Sequence, residues 1–333
     1  MSPELLNVLE VIINGLLAGV MYSLVALGFV LIYKASGIFN YAQGVMALFA
    51  ALTLVGFQTG QIPFAHVINT IFGTHLETWG PGLPTFFAIL LTMGVMVLFA
   101  YLVERIVLRH MVNQAPIILF MTTIGLAYFM EGFGDLMWGA DIKTMDVGLP
   151  SGASTWFETM TAGWATEGSN YPGMYVDMLD VAAAGIAILL VIVLTLFSQY
   201  TKTGRALRAV ADDHQAALTV GISLRTIWVI VWSIAGFVAL VAGIMWGAKS
   251  GVQFSLSLIA LKALPVLILG GFTSIPGAIV GGLIIGVGEK LFEYSIGGML
   301  GGATENWFAY VLALFFLMFR PQGLFGERII ERV

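Results

Sequence analysis

Hydrophobic positions in this chain come in long unbroken runs. No Asp, Glu, Lys or Arg occurs in 11–33, 35–76, 78–103, 111–130, 181–201, 226–248, 263–288 or 306–319. A helix needs roughly 20 apolar residues to cross a bilayer. A backbone in lipid must also satisfy its own hydrogen bonds. Strands of a membrane barrel would alternate over about ten residues, whereas these runs are continuous. The pattern predicts spans at 9–32, 41–57, 85–104, 117–138, 179–198, 227–248, 259–272, 277–296 and 306–319. The second, seventh and ninth are short, so they are expected to be tilted or broken. The expected fold is therefore an all-α polytopic membrane protein of eight or nine transmembrane helices. Broken or re-entrant segments are part of it, and one membrane domain occupies 1–333.

Composition removes the soluble alternative. The chain is 59% hydrophobic and 10% charged, against about 45–50% and about 25% in ordinary soluble domains. Its mean hydropathy is +0.95. Zero cysteines exclude disulfides, thiol nucleophiles and thiolate metal sites. The net charge of −5 and the lack of a basic tract give nucleic acid nothing to bind. No basic residue precedes Lys34, unlike the start of a secretory signal, so the first apolar segment is expected to stay as a span.

Charge also sets an expected orientation. Lys34, Arg105, Arg109, Lys202, Arg205, Arg208, Arg225, Arg320, Arg328 and Arg332, ten of the 14 basic residues, fall on one side of the scheme. By the positive-inside rule that side is cytoplasmic. The N-terminus is then outside, and the tail 320–333 is cytoplasmic. Segment 139–178 becomes an external loop with Asp141, Asp146, Glu158, Glu167 and Asp177 against Lys143. It is too short for a catalytic domain. Its Trp156, Trp164, Tyr171 and Tyr175 suit an interfacial aromatic belt or, alternatively, a ligand site.

The cytoplasmic loop 199–226 reads as an amphipathic helix over 204–220. Thr203 can cap its start, and Gly221 can end it in a left-handed conformation. Leu207, Val210, Ala211, Ala217 and Leu218 form an apolar stripe. Arg208 and Asp212 sit at i,i+4, and Arg205, Asp213 and Gln215 supply a polar face. A lipid-surface helix is one reading. The small side chains and mixed charges favour a knob that docks against protein.

In this stretch Gly204-Arg205-Ala206-x-Arg208-Ala209-x-Ala211, then Ala216-Ala217 and Gly221-Ile222, resembles the coupling segment of ABC-transporter permeases for branched-chain amino acids. Asn14-Gly15-Leu16, Ala26-Leu27-Gly28 and Ile32-Tyr33 are similar to that family's first helix. Phe39-Asn40-Tyr41-Ala42-Gln43-Gly44 resembles its Asn-Phe-Ala-His-Gly motif, with Gln43 where the family commonly carries His. Ala263–Phe272 with Gly277-Ala278 and Gly281-Gly282 resembles its glycine-rich segment. Arg320-Pro321-Gln322-Gly323-Leu324-Phe325-Gly326 resembles its C-terminal signature. The resemblance implies one subunit of an importer in a bacterial inner membrane. It also implies a second, different permease, two cytoplasmic ATPase subunits and an external solute-binding protein. Gly204, Arg205, Leu207, Arg208, Ala209, Asp212 and Gly221 would then carry ATPase coupling. The chain would need no cofactor of its own, ATP being held by the partners. No Gly-Lys dipeptide occurs, so no P-loop can form. The implied substrate is a branched-chain amino acid, with urea and short-chain amides as the alternatives.

Candidates for a substrate path come from breaks and intramembrane charges. Gly15/Gly19, Gly277/Gly281 and Gly282/Gly286 are small-xxx-small pairs suited to close helix packing. Segment 33–44 carries Asn40 and Gln43, and 269–277 carries Gly270 and Gly271. Both are either gates within the membrane or ordinary cytoplasmic turns. Lys262 either snorkels to the interface or meets a carboxylate inside the bundle. Glu289/Glu293 and Glu131/Asp135, each at i,i+4, are read as interfacial or interhelical pairs. A proton relay in an ion-driven secondary transporter is the competing role. His66, His75, His110 and His214 fall in different predicted loops, so no metal site is expected. No nucleophile stands beside a base, so no enzymatic chemistry is expected either.

Overall fold

The structure is a computed structural model that describes residues 1–111, 114–165, 171–212 and 214–326, with the side chains of His214 and Gln215 outside the description. Asp213, Glu167, Arg328 and Arg332 also lie outside the described residues. The described residues form helices α1 (Pro3–Ser36), α2 (Gln43–Thr59), α3 (Ala65–Phe72), α4 (Thr85–Ile106), α5 (Pro116–Trp138), α6 (Thr155–Ala162) and α7 (Met178–Tyr200). They continue with α8 (Lys202–Asp212), α9 (His214–Thr219), α10 (Leu224–Ser250), α11 (Ile259–Gly270), α12 (Ile275–Ile296) and α13 (Glu305–Phe319). Six of these, α1, α4, α5, α7, α10 and α12, are long and apolar enough to cross a membrane. Three shorter apolar helices cover Gln43–Thr59, Phe254–Gly270 and Glu305–Phe319. These are the three segments the sequence marked as short, so the expectation of eight or nine full crossings reduces to six of full length. The chain groups into two compact units.

One unit comprises Leu27–Val147 and Ile192–Leu261. Its centre is α2, which packs on α4, α5, α10 and the 3-10 turn Phe254–Leu258. Every residue from Gln43 to Gly56 is buried. A helix apolar on all sides needs such an environment. Its 17 residues span about 26 Å, slightly less than a bilayer core, but protein rather than lipid surrounds it. Glycines permit the close approach. A Cβ on Gly44 would strike the Ser257 carbonyl, and one on Gly243 of α10 would strike the Ala47 carbonyl. Trp138 lies against Gly56 and donates its indole N–H to Thr53 at 3.2 Å.

The other unit comprises Met1–Ala26, Gly148–Val191 and Lys262–Val333. Here α12 carries two glycine rows. Gly282 and Gly286 meet Gly19 and Gly15 of α1, backbone against backbone, while Gly277 and Gly281 meet Gly270 and Val266 of α11. Ser23 adds a hydrogen bond from its hydroxyl to the Ala278 carbonyl at 3.1 Å. On α13, Phe308 stacks on Phe292 of α12 at 4.5 Å, Glu305 pairs with Lys290 at 2.7 Å, and Thr304 donates its backbone N–H and its hydroxyl to Glu293. The paired acids Glu289 and Glu293 therefore serve different contacts. The 148–178 stretch folds back on α1, where Asn14 donates to the Tyr175 carbonyl at 3.0 Å. Its Trp156, Trp164 and Tyr175 remain exposed, as an interfacial belt requires.

The glycine rows predict a sharp asymmetry. Gly282→Leu or Gly19→Leu is expected to destabilise the protein by about 1–3 kcal/mol through overpacking. Gly94→Ala and Gly185→Ala, where an added Cβ meets nothing within 4 Å, are expected to leave stability unchanged. Thermal unfolding of the detergent-purified variants checks this.

Candidate functional site

The loop between α7 and α10 lies within one unit and is largely helical. Its start is tighter than the sequence suggested. The α8 helix begins at Lys202, and Thr201, not Thr203, caps it by accepting the Gly204 N–H at 2.9 Å. Gly204 is required there, because a Cβ would lie 2.6 Å from Ser198 Cα at the end of α7. Leu207 and Val210 are buried with Gly204, and α8 packs on α10. Arg205 and Asp212 are exposed, as are Leu218 and Val220 after them, and Ala209 is half-buried. The expected Arg208–Asp212 pair does not form. Arg208 donates instead to the Gln199 carbonyl at 3.4 Å, where the end of α7 offers unpaired acceptors and a negative dipole end. Gly221, at φ +83°, ends the element as expected, and the Ile222 N–H turns back to the Ala217 carbonyl at 3.0 Å. The expected helix 204–220 is helical over Lys202–Asp212 and His214–Thr219, with Asp213 outside the described residues.

Asn40 and Gln43 come together in the first break, both with no exposed surface. The Asn40 side chain accepts the Ala42 N–H at 3.2 Å and donates to Gln43 at 3.4 Å. Gln43 in turn donates to the Ala235 carbonyl of α10 at 3.3 Å. Its side chain fills the space a Cβ on Gly28 would need. Thr123 of α5 completes the break by accepting the Tyr41 N–H at 3.1 Å and donating to the Phe39 carbonyl at 3.0 Å. Thr123 lies seven residues into α5, or about 10 Å along it. Phe39 and Tyr41 therefore lie beside α5 about two turns from its start. The sequence reading missed Thr123; a hydroxyl inside an apolar run is the signal.

The second break is clasped by the C-terminal motif. Leu324 and Phe325 donate their N–H groups to the Leu269 and Gly270 carbonyls at 2.8 and 3.2 Å. Gly271, at φ +101°, allows Gly323 and Gly326 to approach its backbone. Ser274 then caps α12 by accepting the Gly277 N–H at 3.0 Å. The two motifs that looked separate in sequence are one structural joint.

Eight residues before Gly270, Lys262 meets a carboxylate, the second of its two expected fates. Its ammonium lies 3.7 Å from Glu289 and 3.3 Å from the Tyr22 hydroxyl, and Tyr22 donates to Glu289 at 2.9 Å. Glu289 is 1% exposed, while the Lys262 side chain keeps 27%. Tyr22 was not foreseen, since a lone phenol in a long apolar helix reads as packing.

Other polar groups collect at the C-terminal end of α5. A cavity of about 760 Å³ there is lined by Gln61, His66, Glu77, Asp135, Asp141 and Lys143 among others. Lys143 donates to Gln61 at 2.5 Å. Burial holds its ammonium below the ordinary lysine range, and Asp141 pulls the other way. His66 sits in α3 and His214 in α9, not in loops. Among the described residues no cluster of His, Asp or Glu could hold a metal.

The family described as branched-chain amino acid transport system, permease component, matches residues 11–320. The chain is 26% identical to the high-affinity branched-chain amino acid transport system permease protein LivH of Escherichia coli across the whole of both chains. It is likewise 26% identical to BraD of Pseudomonas aeruginosa, over 99% of this chain and 100% of that one. A shorter similarity, 30% over 49% of this chain and 38% of the other, links it to LivM of Escherichia coli, a permease protein of the same named system.

The charge cluster predicts non-additive stability. Lys262→Met leaves Glu289 buried and uncompensated, which is expected to cost at most about 3 kcal/mol, the low end for breaking a buried pair, because Lys262 is partly exposed. The double variant Lys262→Met/Glu289→Gln is expected to recover most of that loss. Thermal unfolding midpoints of the two single variants and the double variant form the cycle that decides it.

Proposed function

The chain belongs to the family of branched-chain amino acid transport permease components, subunits of ABC importers, and from that premise we propose how it carries a branched-chain amino acid across the bacterial inner membrane. One observation carries the reading. The α8–α9 element is joined to α7 by the single residue 201 and to α10 by residues 220–223. It buries Gly204, Leu207 and Val210 while leaving Arg205, Asp212, Leu218 and Val220 exposed. So short a linkage makes it a lever. A cytoplasmic ATPase that grips the exposed face would move α7 and α10 as rigid bodies when it closes on ATP.

In this reading ATP stays on two partner subunits, and the chain holds neither nucleotide nor cofactor. The basic residues place the lever in the cytoplasm and the N-terminus outside. A solute-binding protein delivers the amino acid from the external side, where 139–178 lies. The second permease is a different chain, in keeping with the similarity to both LivH and LivM, printed as proteins of one system. All nine apolar helices enter the membrane, α2 and α11 as broken segments inside protein and α13 as a short outer helix.

Two experiments test this. Arg205→Glu/Arg208→Glu is expected to leave the permease inserted but to reduce co-purification with its ATPase subunits at least tenfold; an unchanged yield and ATPase rate would refute the lever. The orientation can be read without background, since the chain has zero cysteines. In intact cells an impermeant maleimide is expected to label Thr144→Cys at once and Thr219→Cys only after permeabilisation.

A further inference from the structure

Glu131 is a charge in the membrane helices with no partner among the described residues, as is Glu104, which is 5% exposed and two residues from the end of α4. Glu131 lies in α5, fifteen residues beyond Pro116 and seven before Trp138, about 10 Å inside the nearer end of the helix. Among the described residues its carboxylate makes no hydrogen bond or ion pair. An unpaired carboxylate at that depth is costly, and such groups in transport proteins mark ligand paths. The contrast lies in the same chain, where Glu289 is tied to both Tyr22 and Lys262.

Glu131 opens onto a cavity of about 260 Å³ within its own unit, lined also by Tyr41 and Val45 at the start of α2, Ala127 and Tyr128 on α5, and the 257–261 stretch. The volume is just below the usual ~300–1,000 Å³ of small-molecule sites, which suits a free amino acid. Its walls are divided in character. Val45, Ala127, Leu258, Ala260 and Leu261 are apolar. Ser257 donates its proton to the Phe254 carbonyl at 2.8 Å, which leaves its hydroxyl oxygen able to accept. The Tyr41 and Tyr128 hydroxyls can do both. The site therefore offers one negative charge, neutral acceptors and a branched-aliphatic-sized recess, and it has no basic side chain. It suits an ammonium attached to a short apolar body, and the Tyr41 and Tyr128 hydroxyls are the donors it offers to the carboxylate of a zwitterionic amino acid. A neutral amide or urea would leave the carboxylate uncompensated.

We propose that this cavity is a station for the transported amino acid, with Glu131 receiving its α-ammonium and Val45, Leu258 and Leu261 holding its branched side chain. The inference rests on the importer reading above and adds the residues that recognise the solute. It also gives the first break a role. The first break brings Tyr41 and Val45 to the depth of Glu131, and the 254–258 turn brings Ser257 to meet them.

The test uses the complete importer, with both permeases, ATPase subunits and binding protein, reconstituted in vesicles with ATP inside and radiolabelled leucine outside. Glu131→Gln is expected to lower leucine uptake at least tenfold while the ATPase rate with the loaded binding protein stays within twofold of the parent. Ala260→Leu, which fills the cavity from the opposite wall and leaves the carboxylate intact, is expected to reduce leucine uptake more than valine uptake. Parent complex that takes up leucine, with both variants unchanged, would overturn the station and leave the importer reading standing. Parent complex that hydrolyses ATP but moves no branched-chain amino acid would overturn the importer reading itself. Equal loss of leucine uptake and ATPase rate in Glu131→Gln, with no size discrimination in Ala260→Leu, would mark the cavity as packing only and also overturn the proposal.

Discussion

A backbone amide or carbonyl in hydrocarbon must find its partner inside the protein, and this chain is organised around the places where a helix cannot supply one. Its two breaks solve the problem with different parts. At 37–42 the donors and acceptors are side chains: Asn40 takes the Ala42 N–H, Thr123 takes the Tyr41 N–H and serves the Phe39 carbonyl, and Gln43 reaches the Ala235 carbonyl. At 269–274 they are backbone groups of a distant segment, Leu324 and Phe325. The first solution fixes a helix start beside α5. The second explains why a Pro-Gln-Gly-Leu-Phe-Gly sequence follows the last apolar helix. Gly271 and Gly323 hold positive φ, and only residues without a Cβ let the two backbones close to hydrogen-bonding distance.

Packing follows the same logic. Lipid tails are as apolar as leucine, so association between helices depends on close contact and directed hydrogen bonds. In one unit α12 uses its two faces for two neighbours, Gly282 and Gly286 for α1 and Gly277 and Gly281 for α11. In the other unit α2 is enclosed by protein on every side. Its polar residues Gln43 and Thr53 then have partners that lipid could not provide. A glutamine at 43 suits this enclosure, for its amide joins Asn40 on one side to a main-chain carbonyl on the other.

What the sequence made legible divides along a physical line. Runs of apolar residues mark helices because the bilayer imposes one length and one hydrogen-bond solution, and all nine apolar segments are helices within a few residues. The glycine spacings were legible as contact faces for a similar reason. The count of full crossings was not, because an apolar helix enclosed by protein has the same composition as one in lipid, as α2 illustrates. Pairings across the chain were also hidden. Nothing in the order of residues joins Tyr22 to Glu289 or Thr123 to Phe39, since such contacts depend on three-dimensional register. The capping error at α8 was of another kind. Thr201 and Thr203 are equally good caps by type, and only the approach of Gly204 to Ser198 decides between them.

Charge placement gives the arrangement its direction. A membrane protein can keep a carboxylate in a span by matching it with a cation or by giving it a solute to bind. This chain does the first at Glu289, where Tyr22 and Lys262 share one oxygen, whereas Glu131 has neither a cation nor a hydrogen bond among the described residues and is the candidate for the second. The difference is geometric. Glu289 is 1% exposed and fixed between helices of one unit, so its charge supports a joint. Glu131 faces an open recess between α2, α5 and the start of α11, so its charge is available. An importer powered by separate ATPase subunits needs no titratable relay of its own, and a carboxylate that binds the solute's ammonium without moving protons across the membrane is compatible with such a machine.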